Sequence, residues 1–490
     1  MKYYIILFAF AILTGCTSTN HDYKAFKLKV NNLLSSGEFS RINSIRDSLT
    51  SARADAVLLQ IADSAVDMAH RIEADFSVTQ EIFGEQLKKR GLDSSASDLE
   101  SWDKNGWIEW RLINGEKKFF NRAASNLYLL KEFNLHRSKR DSALARDEYI
   151  RSRNKHTAGI IELSGNRCDT VGPVEMEIIY TVTVEPDVVP EGETIRCWLP
   201  FPKENHERQG SVYLSAISNE DFVLAPDTCI HRTIYLENKA EKGKPVVFSI
   251  AYNYTSLGQY FNPANIKASP YDKKSPLFRK YTSEQLPQIC FTPSVKRLAD
   301  SIAGNETNPL EICRKIYKWF SGNIPWAGAL EYSTMPNIPE YVITNMKGDC
   351  GMQTLLLMSM LRYKGIPVKW QSGWMVPPGN KNLHDWCEVY FEGAGWIPLD
   401  VSYGLQYSDK QAIREFYITG IDSYRLIVND GISGRLYPEK KFPRSDPYDF
   451  QRGELEWKGG NLYYDTWDYS MVIRYKDSRG NLLKQPKTDR

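Results

Sequence analysis

The first proline of this chain is Pro173, although 24 prolines are present in all. Proline removes a backbone donor and crowds the preceding turn, so a long stretch without it suits helices. Up to about residue 158 the apolar residues recur at three- and four-residue steps. "DAVLLQIADSAVDMAHRI" and "NRAASNLYLLKEF" both show this helical period. Between them, "WDKNGWIEWRLINGEKKFF" alternates around Asn114-Gly115, which predicts a hairpin with a two-residue turn. Its three tryptophans are read as packing residues rather than a sugar platform.

From about 165 the period falls to two. "VEMEIIYTVTVEP", "ETIRCWLPFP", "CIHRTIYLEN" and "KPVVFSIAYNYTS" read as strands divided by turn residues, which predicts an antiparallel β-sandwich over 165–258. A linker rich in Pro, Asn and Lys follows. Helices and then strands return over 283–425, with strands expected near 367–376, 384–391 and 396–401. Residues 426–490 read as a C-terminal tail containing β-structure. The expected class is therefore α+β and multidomain, with a helical region over 17–160; a chain of this length is too long for one core.

The opening "MKYYIILFAFAILTGC" has one Lys, a short apolar run and small residues before Cys16. It is too short to span a bilayer and reads as a secretory signal over 1–16. The Leu-Thr-Gly-Cys end resembles a bacterial lipobox. That resemblance implies that Cys16 is lipidated and tethers the chain to a membrane at the cell envelope, on a periplasmic or surface face. Lys plus Arg number 62 against 60 Asp plus Glu, without a basic block, so nothing points to nucleic acid.

The chemical signal lies in "NMKGDCGMQTLLLMSMLRYKGIP". Cys350 stands between Gly-Asp and Gly, just before an apolar run that stops at Gly365. The run predicts a buried helix with Cys350 at its N-terminus, where free N–H groups favour a thiolate. Gly348 and Gly351 are expected to allow a tight turn and close substrate approach. Asp349 reads as the cap. A nucleophilic thiol also needs a base. His384 is the one histidine after the cysteine, in "NLHDWCEVYFEGAGWIPLD". A three-residue loop of Phe391, Glu392 and Gly393 would set His384 directly opposite Asp400, on one face of the hairpin; a four-residue loop would not. Asp385 then points to the other face.

These residues, "GDCGMQTLLLMSMLRYKGIPVKWQSGW" followed by "HDWCEVYFEGAGWIPLD", resemble the transglutaminase-like superfamily of papain-related thiol enzymes. The wider layout resembles bacterial transglutaminase-like lipoproteins. The resemblance implies a core in which the cysteine helix packs on an antiparallel sheet. It also implies Cys350 as nucleophile, His384 as base and acid, and Asp400 as the residue orienting His384. The family's oxyanion hole uses the nucleophile's backbone N–H and an upstream donor. Trp326 in "GNIPWAGALEYS" is the match for that donor, with Gln353, Trp319 and Tyr332 as alternatives.

A zinc site of Cys350, His384 and Cys387 is the competing chemistry, but strand alternation separates His384 from Cys387. No metal or other cofactor is implied, and no calcium-type acidic loop is present. The expectation is a cysteine hydrolase or acyltransferase acting on a peptide, protein or glycopeptide amide. The alternative is a binding scaffold of the same fold. Apart from Cys16, seven cysteines are present, and they can pair or stay free.

Overall fold

The computed structural model describes residues 19–92, 95–135, 147–166, 168–476 and 482–483. Cys16 and the signal-like segment lie outside the described residues. The chain groups into two compact units, residues 1–95 with 108–123, and residues 96–107 with 124–490. The helical stretch read as 17–160 is thus divided between them.

In the first unit, helices α1 (Thr19–Ser36), α2 (Phe39–Ser51), α3 (Ala56–Asp75) and α4 (Gln80–Lys89) accompany a hairpin of β1 (Trp110–Ile113) and β2 (Glu116–Phe119). Asn114 and Gly115 take φ of 50° and 86°, the left-handed pair that a two-residue turn requires. Asp55 and Thr79 cap α3 and α4 with their side chains. Trp110 is half exposed under the Lys117 ammonium, while Phe83 stacks on Phe119 inside the unit.

The second unit begins with α5 (Ala96–Lys104), α6 (Ala123–Leu135) and α7 (Glu148–Ser164). Six strands follow: β3 (Thr170–Val184), β4 (Thr194–Pro200), β5 (Gln209–Ile217), β6 (Phe222–Leu224), β7 (Thr233–Lys239) and β8 (Val246–Tyr260). They fall into two antiparallel sheets, with β3, β5 and β8 in one and β4, β6 and β7 in the other. Their alternating burial fills a core around Tyr180, Trp198, Phe248 and Tyr252.

The third layer is the candidate catalytic core. Helices α8 (Pro276–Tyr281), α9 (Pro293–Ala303), α10 (Pro309–Asn323), α11 (Ile338–Asn345) and α12 (Cys350–Tyr363) precede β9 (Val368–Met375), β10 (Asn382–Phe391) and β11 (Gly395–Leu399). Then come two short helices, α13 (Gln411–Arg414) and α14 (Phe416–Thr419), and strands β12 (Gly420–Ile421) and β13 (Arg425–Asn429). The sheet order is β11-β10-β9-β13. Each of α8 to α11 starts with a capping side chain and a proline in its first turn, as helix starts favour.

The segment after 426 is not a tail. β13 enters the sheet of β9, β10 and β11 beside β9. β14 (Glu454–Trp457) and β15 (Gly460–Leu462) extend the β4 sheet, and β16 (Trp467–Lys476) pairs along β3 from Val184 to Glu175. The free edges of β3 and β4 are open hydrogen-bonding templates, and the returning chain closes them. Its sequence alternates strongly enough to look like a strand, but nothing local says which edge it fills. The resulting connection brings residues 444–453 back over β9 and β10.

Candidate active site

Cys350 is the first residue of α12, and Asp349 caps that helix by accepting the Met352 N–H at 2.9 Å. The helix is buried from Cys350 to Arg362, as its uniformly apolar sequence demands. The glycines beside the thiol serve packing rather than backbone freedom, since neither has a positive φ. A Cβ on Gly351 would lie 2.0 Å from the Tyr332 hydroxyl and 2.7 Å from Asp385 Oδ2. The missing side chain lets both groups close on the helix start. Tyr332 donates from there to Asp349 Oδ1 at 2.7 Å.

The thiol itself donates to Asp385 Oδ2 at 3.2 Å. Among the described residues, no hydrogen bond joins it to His384. Burial pushes the Cys350 thiol well above its usual value, and the Asp385 and Asp349 carboxylates push it further. The thiolate expected from the helix N-terminus is therefore absent from this arrangement. A helix dipole stabilises a charge by at most about 2 kcal/mol. Full burial can move a pKa by about 3–5 units, at roughly 1.4 kcal/mol each. Burial wins.

Asp385 is itself held as an acid. Burial raises its carboxyl well above the carboxylate range, with Asp449 and Asp349 adding to the effect. Gln451 donates to its Oδ1 at 2.7 Å, and it shares a hydrogen bond with Asp449. Ser372 and Asn429 donate in turn to Asp449. Gln451 and Asp449 come from the segment returning after β13, so the C-terminal chain builds one wall around the sulfur.

His384 faces the other way, as adjacent residues on a strand must. Its Nε2 lies 2.6 Å from Asp400 Oδ2. The register differs from expectation. β10 and β11 pair Cys387 with Leu399 and Phe391 with Gly395, two residues further along than a loop of 391–393 would give. The loop is 392–394, with Gly393 left-handed at φ 86°. A two-residue slip keeps every side chain on its face. Asp400 consequently stays on the side of His384, but beyond the end of the ladder, where it begins a 3-10 turn.

Asp400 is fully buried and remains ionised. Burial alone would raise its carboxyl, but His384 and Arg425 outweigh that and hold it below its usual value. Arg425 Nη1 donates to the same Oδ2 at 2.7 Å, and Ser402 Oγ donates to Oδ1 at 2.9 Å. Because an ionised carboxylate only accepts, Nε2 of His384 carries its proton. Burial lowers the His384 pKa, Asp400 opposes that, and Arg425 reinforces it. The ring is a neutral imidazole whose Nδ1 is the basic nitrogen. Among the described residues nothing hydrogen-bonds that nitrogen. Tyr403 meets the ring edge-on at 5.3 Å.

Of the oxyanion candidates singled out in the sequence, Trp326 lies beside the loop that leads into Cys350. Its backbone bridges Gly348, Ala327 donates to the Gly348 carbonyl, and the residue is 39 % exposed. Gln353 is buried, and its amide donates to the Gly348 carbonyl at 2.9 Å, bracing the turn. A cavity of about 270 Å³ opens beside this loop between Trp107, Pro325 and Met346. Cys387 lies on the face opposite His384 and donates to the Leu399 carbonyl. Among the described residues no group of His, Cys, Asp and Glu is placed to hold a metal, and Cys168, Cys197, Cys229, Cys290, Cys313, Cys350 and Cys387 are all free thiols.

Sequence reasoning missed Arg425, Asp422, Gln451 and Asp449. Each is an ordinary polar residue in its local context, and only the return of the chain to the sheet brings it to the site. Asp385 lies on the strand face opposite His384, as alternation requires. The thiol meets both its carboxyl and its backbone N–H.

A buried helix led by cysteine, packed on an antiparallel sheet that carries a paired histidine and aspartate, defines a transglutaminase-like core. Residues 296–401 match the family model of the transglutaminase-like superfamily, so the chain carries a domain of that superfamily. A provisionally assigned cysteine protease from Cytophaga hutchinsonii is similar at 13% identity. It covers 65% of this chain and 93% of its own, with a TM-score of 0.43. The periplasmic domain of TgpA from Pseudomonas aeruginosa is similar at 17% identity, over 50% of this chain and 91% of that one, with a TM-score of 0.26. An uncharacterized protein of Haemophilus influenzae is 21% identical over 202 residues, 34% of this chain, and the match spans about half of that relative, 55%.

Proposed function

We propose that this domain is a thiol enzyme that cleaves or transfers an amide bond. Cys350 is the nucleophile, His384 the base and acid, and Asp400 the orienting residue. Within a domain of this superfamily, the observation that carries the reading is the 2.6 Å pair of His384 and Asp400 on the strand that also touches the nucleophile's helix start. The pair leaves Nδ1 free to take a proton.

In the reaction the thiol leaves Asp385 and turns to Nδ1. The S–H proton passes to the imidazole as sulfur bonds to the substrate carbonyl carbon. The C–N bond then breaks, and the amine departs with the proton from His384. Water, or an amine in a transferase, attacks the thioester and releases Cys350. Water is abundant and a transferase must exclude it, so hydrolysis is the default outcome. The Cys350 backbone N–H and Trp326 are the proposed oxyanion donors. The substrate is a peptide, protein or glycopeptide. The Leu-Thr-Gly-Cys sequence ending at Cys16 supports a lipid-anchored place at the cell envelope. No described helix is long and apolar enough to cross a membrane.

The test is a mass-spectrometric screen of peptides and cell-wall fragments against the wild-type chain and Cys350→Ala. Product formed by the wild type and absent with the variant supports the reading. Equal product in both overturns it.

The hydrogen bond from Cys350 to Asp385 favours one second reading, a binding scaffold in which the thiol stays protonated. Site-resolved iodoacetamide labelling separates the two. Slow labelling at all pH values, unchanged by His384→Ala, selects the scaffold.

A further inference from the structure

Arg425 lies outside the segment matched to the superfamily, yet it is only 2 % exposed and sits at the centre of the site's charges. Its guanidinium divides between two carboxylates. Nη1 reaches Asp400 Oδ2 at 2.7 Å, while Nη2 and Nε reach Asp422 Oδ2 at 2.9 and 3.2 Å. Asp422 is anchored independently, by the Tyr417 hydroxyl at 2.9 Å and the Tyr424 N–H at 2.8 Å. Three aromatic rings flank the guanidinium carbon, those of Tyr403 at 4.8 Å, Trp386 at 5.3 Å and Tyr417 at 5.7 Å. A buried charge held by polar bonds on one side and ring faces on the other is an expensive arrangement for a residue that merely fills space.

We propose that Arg425, anchored by Asp422, is a positioning residue of the active site, which grips the oxygen of Asp400 that also holds His384 and so sets the orientation and basicity of the imidazole. This rests on the proposed roles of His384 and Asp400. The geometry gives the reason. Two carboxylates, Asp400 and Asp422, stand near His384 in a region closed to water. Unopposed, they would hold the ring as an imidazolium, useless as a base. Arg425 from β13 opposes them, and Arg153 from α7, 5.1 Å from the Tyr403 ring, adds a second positive charge. The other titratable or charged groups that interact with these are Tyr403, Tyr417, Tyr317 from α10, Tyr149 from α7, Arg208 ahead of β5, and His156, the last donated to by the Ser423 N–H. A fork is also the right shape for the task. A lysine could supply the charge but could not bridge two carboxylates in fixed directions.

The experiment is an NMR titration of the His384 imidazole, assigned by its loss in His384→Ala, in the wild type and in Arg425→Met, Arg425→Lys and Asp422→Asn. Removing a like charge at this range should raise the His384 pKa by roughly 1–3 units in Arg425→Met. Arg425→Lys should recover most of that shift. Asp422→Asn, which removes a negative charge, should move the pKa down. The opposite signs are what a structural role would not produce. A folded Arg425→Met chain with an unmoved His384 overturns the proposal. If Arg425→Met does not fold, the Asp422→Asn titration decides, and an unchanged or raised pKa there overturns it. The readout is a proton equilibrium and not turnover, so a chain without enzymatic activity still tests the role of Arg425.

Discussion

The thiol of Cys350 donates to the carboxyl of Asp385, the neighbour of the histidine proposed as its base, at 3.2 Å. The backbone N–H of Asp385 also reaches the sulfur, so the thiol meets the strand at its edge, next to His384 in the chain. The thiol is held on a carboxyl that burial and two further aspartates keep protonated.

Asp385→Asn should release the thiol. In the wild type, rising pH ionises the Asp385 carboxyl and adds a negative charge beside the sulfur, so the thiolate is opposed where it should form. With Asn, burial and Asp349 still oppose it, but the nearest negative charge is gone. The midpoint of Cys350 alkylation should fall by at least about one unit, making labelling near pH 8.5 about tenfold faster. Site-resolved mass spectrometry is needed because Cys168 and Cys229 are partly exposed. A midpoint unchanged or raised in the variant would refute this role for Asp385.

Gly351→Ala should destabilise the chain, against the usual gain of alanine in a helix. The added methyl meets the Tyr332 hydroxyl at 2.0 Å and Asp385 Oδ2 at 2.7 Å. Overpacking of this kind costs about 1–3 kcal/mol. Tyr332→Phe removes the closer atom, so the double variant should lose less than the two single losses added together. Denaturant unfolding of the four chains measures this. Simple additivity would mean that the clash is relieved elsewhere.

Asp446 supplies a pH test with a defined sign. Burial, with Asp449 next, raises its carboxyl to about 7. Unfolded, it would titrate near 3.9. The folded chain therefore binds more protons across that window, and stability falls as pH rises from about 4 to 7. Asp446→Asn keeps the acceptor for the Tyr448 and Asp449 N–H groups but carries no charge. It should match the wild type near pH 4 and be more stable at pH 8, by an amount on the order of a few kcal/mol at most. Thermal unfolding at both pH values checks it. A constant difference between the chains would exclude this titration.

Trp326→Phe bears on the oxyanion donor. If the indole N–H serves, its loss should lower the rate of acylation by about 10²–10³ with little change in binding. The comparison is made on a substrate returned by the mass-spectrometric screen. A loss below about threefold would remove Trp326 from the mechanism.

The start of the Cys350 helix was legible because its determinants are local. Asp349 caps it, the apolar run buries it, and Gly365 ends it within one short stretch. The pairing of His384 with Asp400 was legible for a different reason. The expected register was two residues out, but an even slip preserves the face, so the two side chains still meet. The period of the β-domain was plain, whereas the destination of the chain after residue 426 was not. Which edge a strand fills depends on where edges stand open in space.

Sequence alone thus determined the residue types, the helix start, the strand faces and the resemblance to a thiol-enzyme superfamily. Tertiary structure alone decided the electrical state of the site. It brought Arg425 and Asp422 to the back of Asp400 and wrapped Gln451 and Asp449 around Asp385. It also buried the sulfur deeply enough that desolvation exceeds the pull of the helix dipole. Local patterns are set by neighbours in the chain, while the energy of a charge is set by everything packed around it, wherever that lies in the sequence.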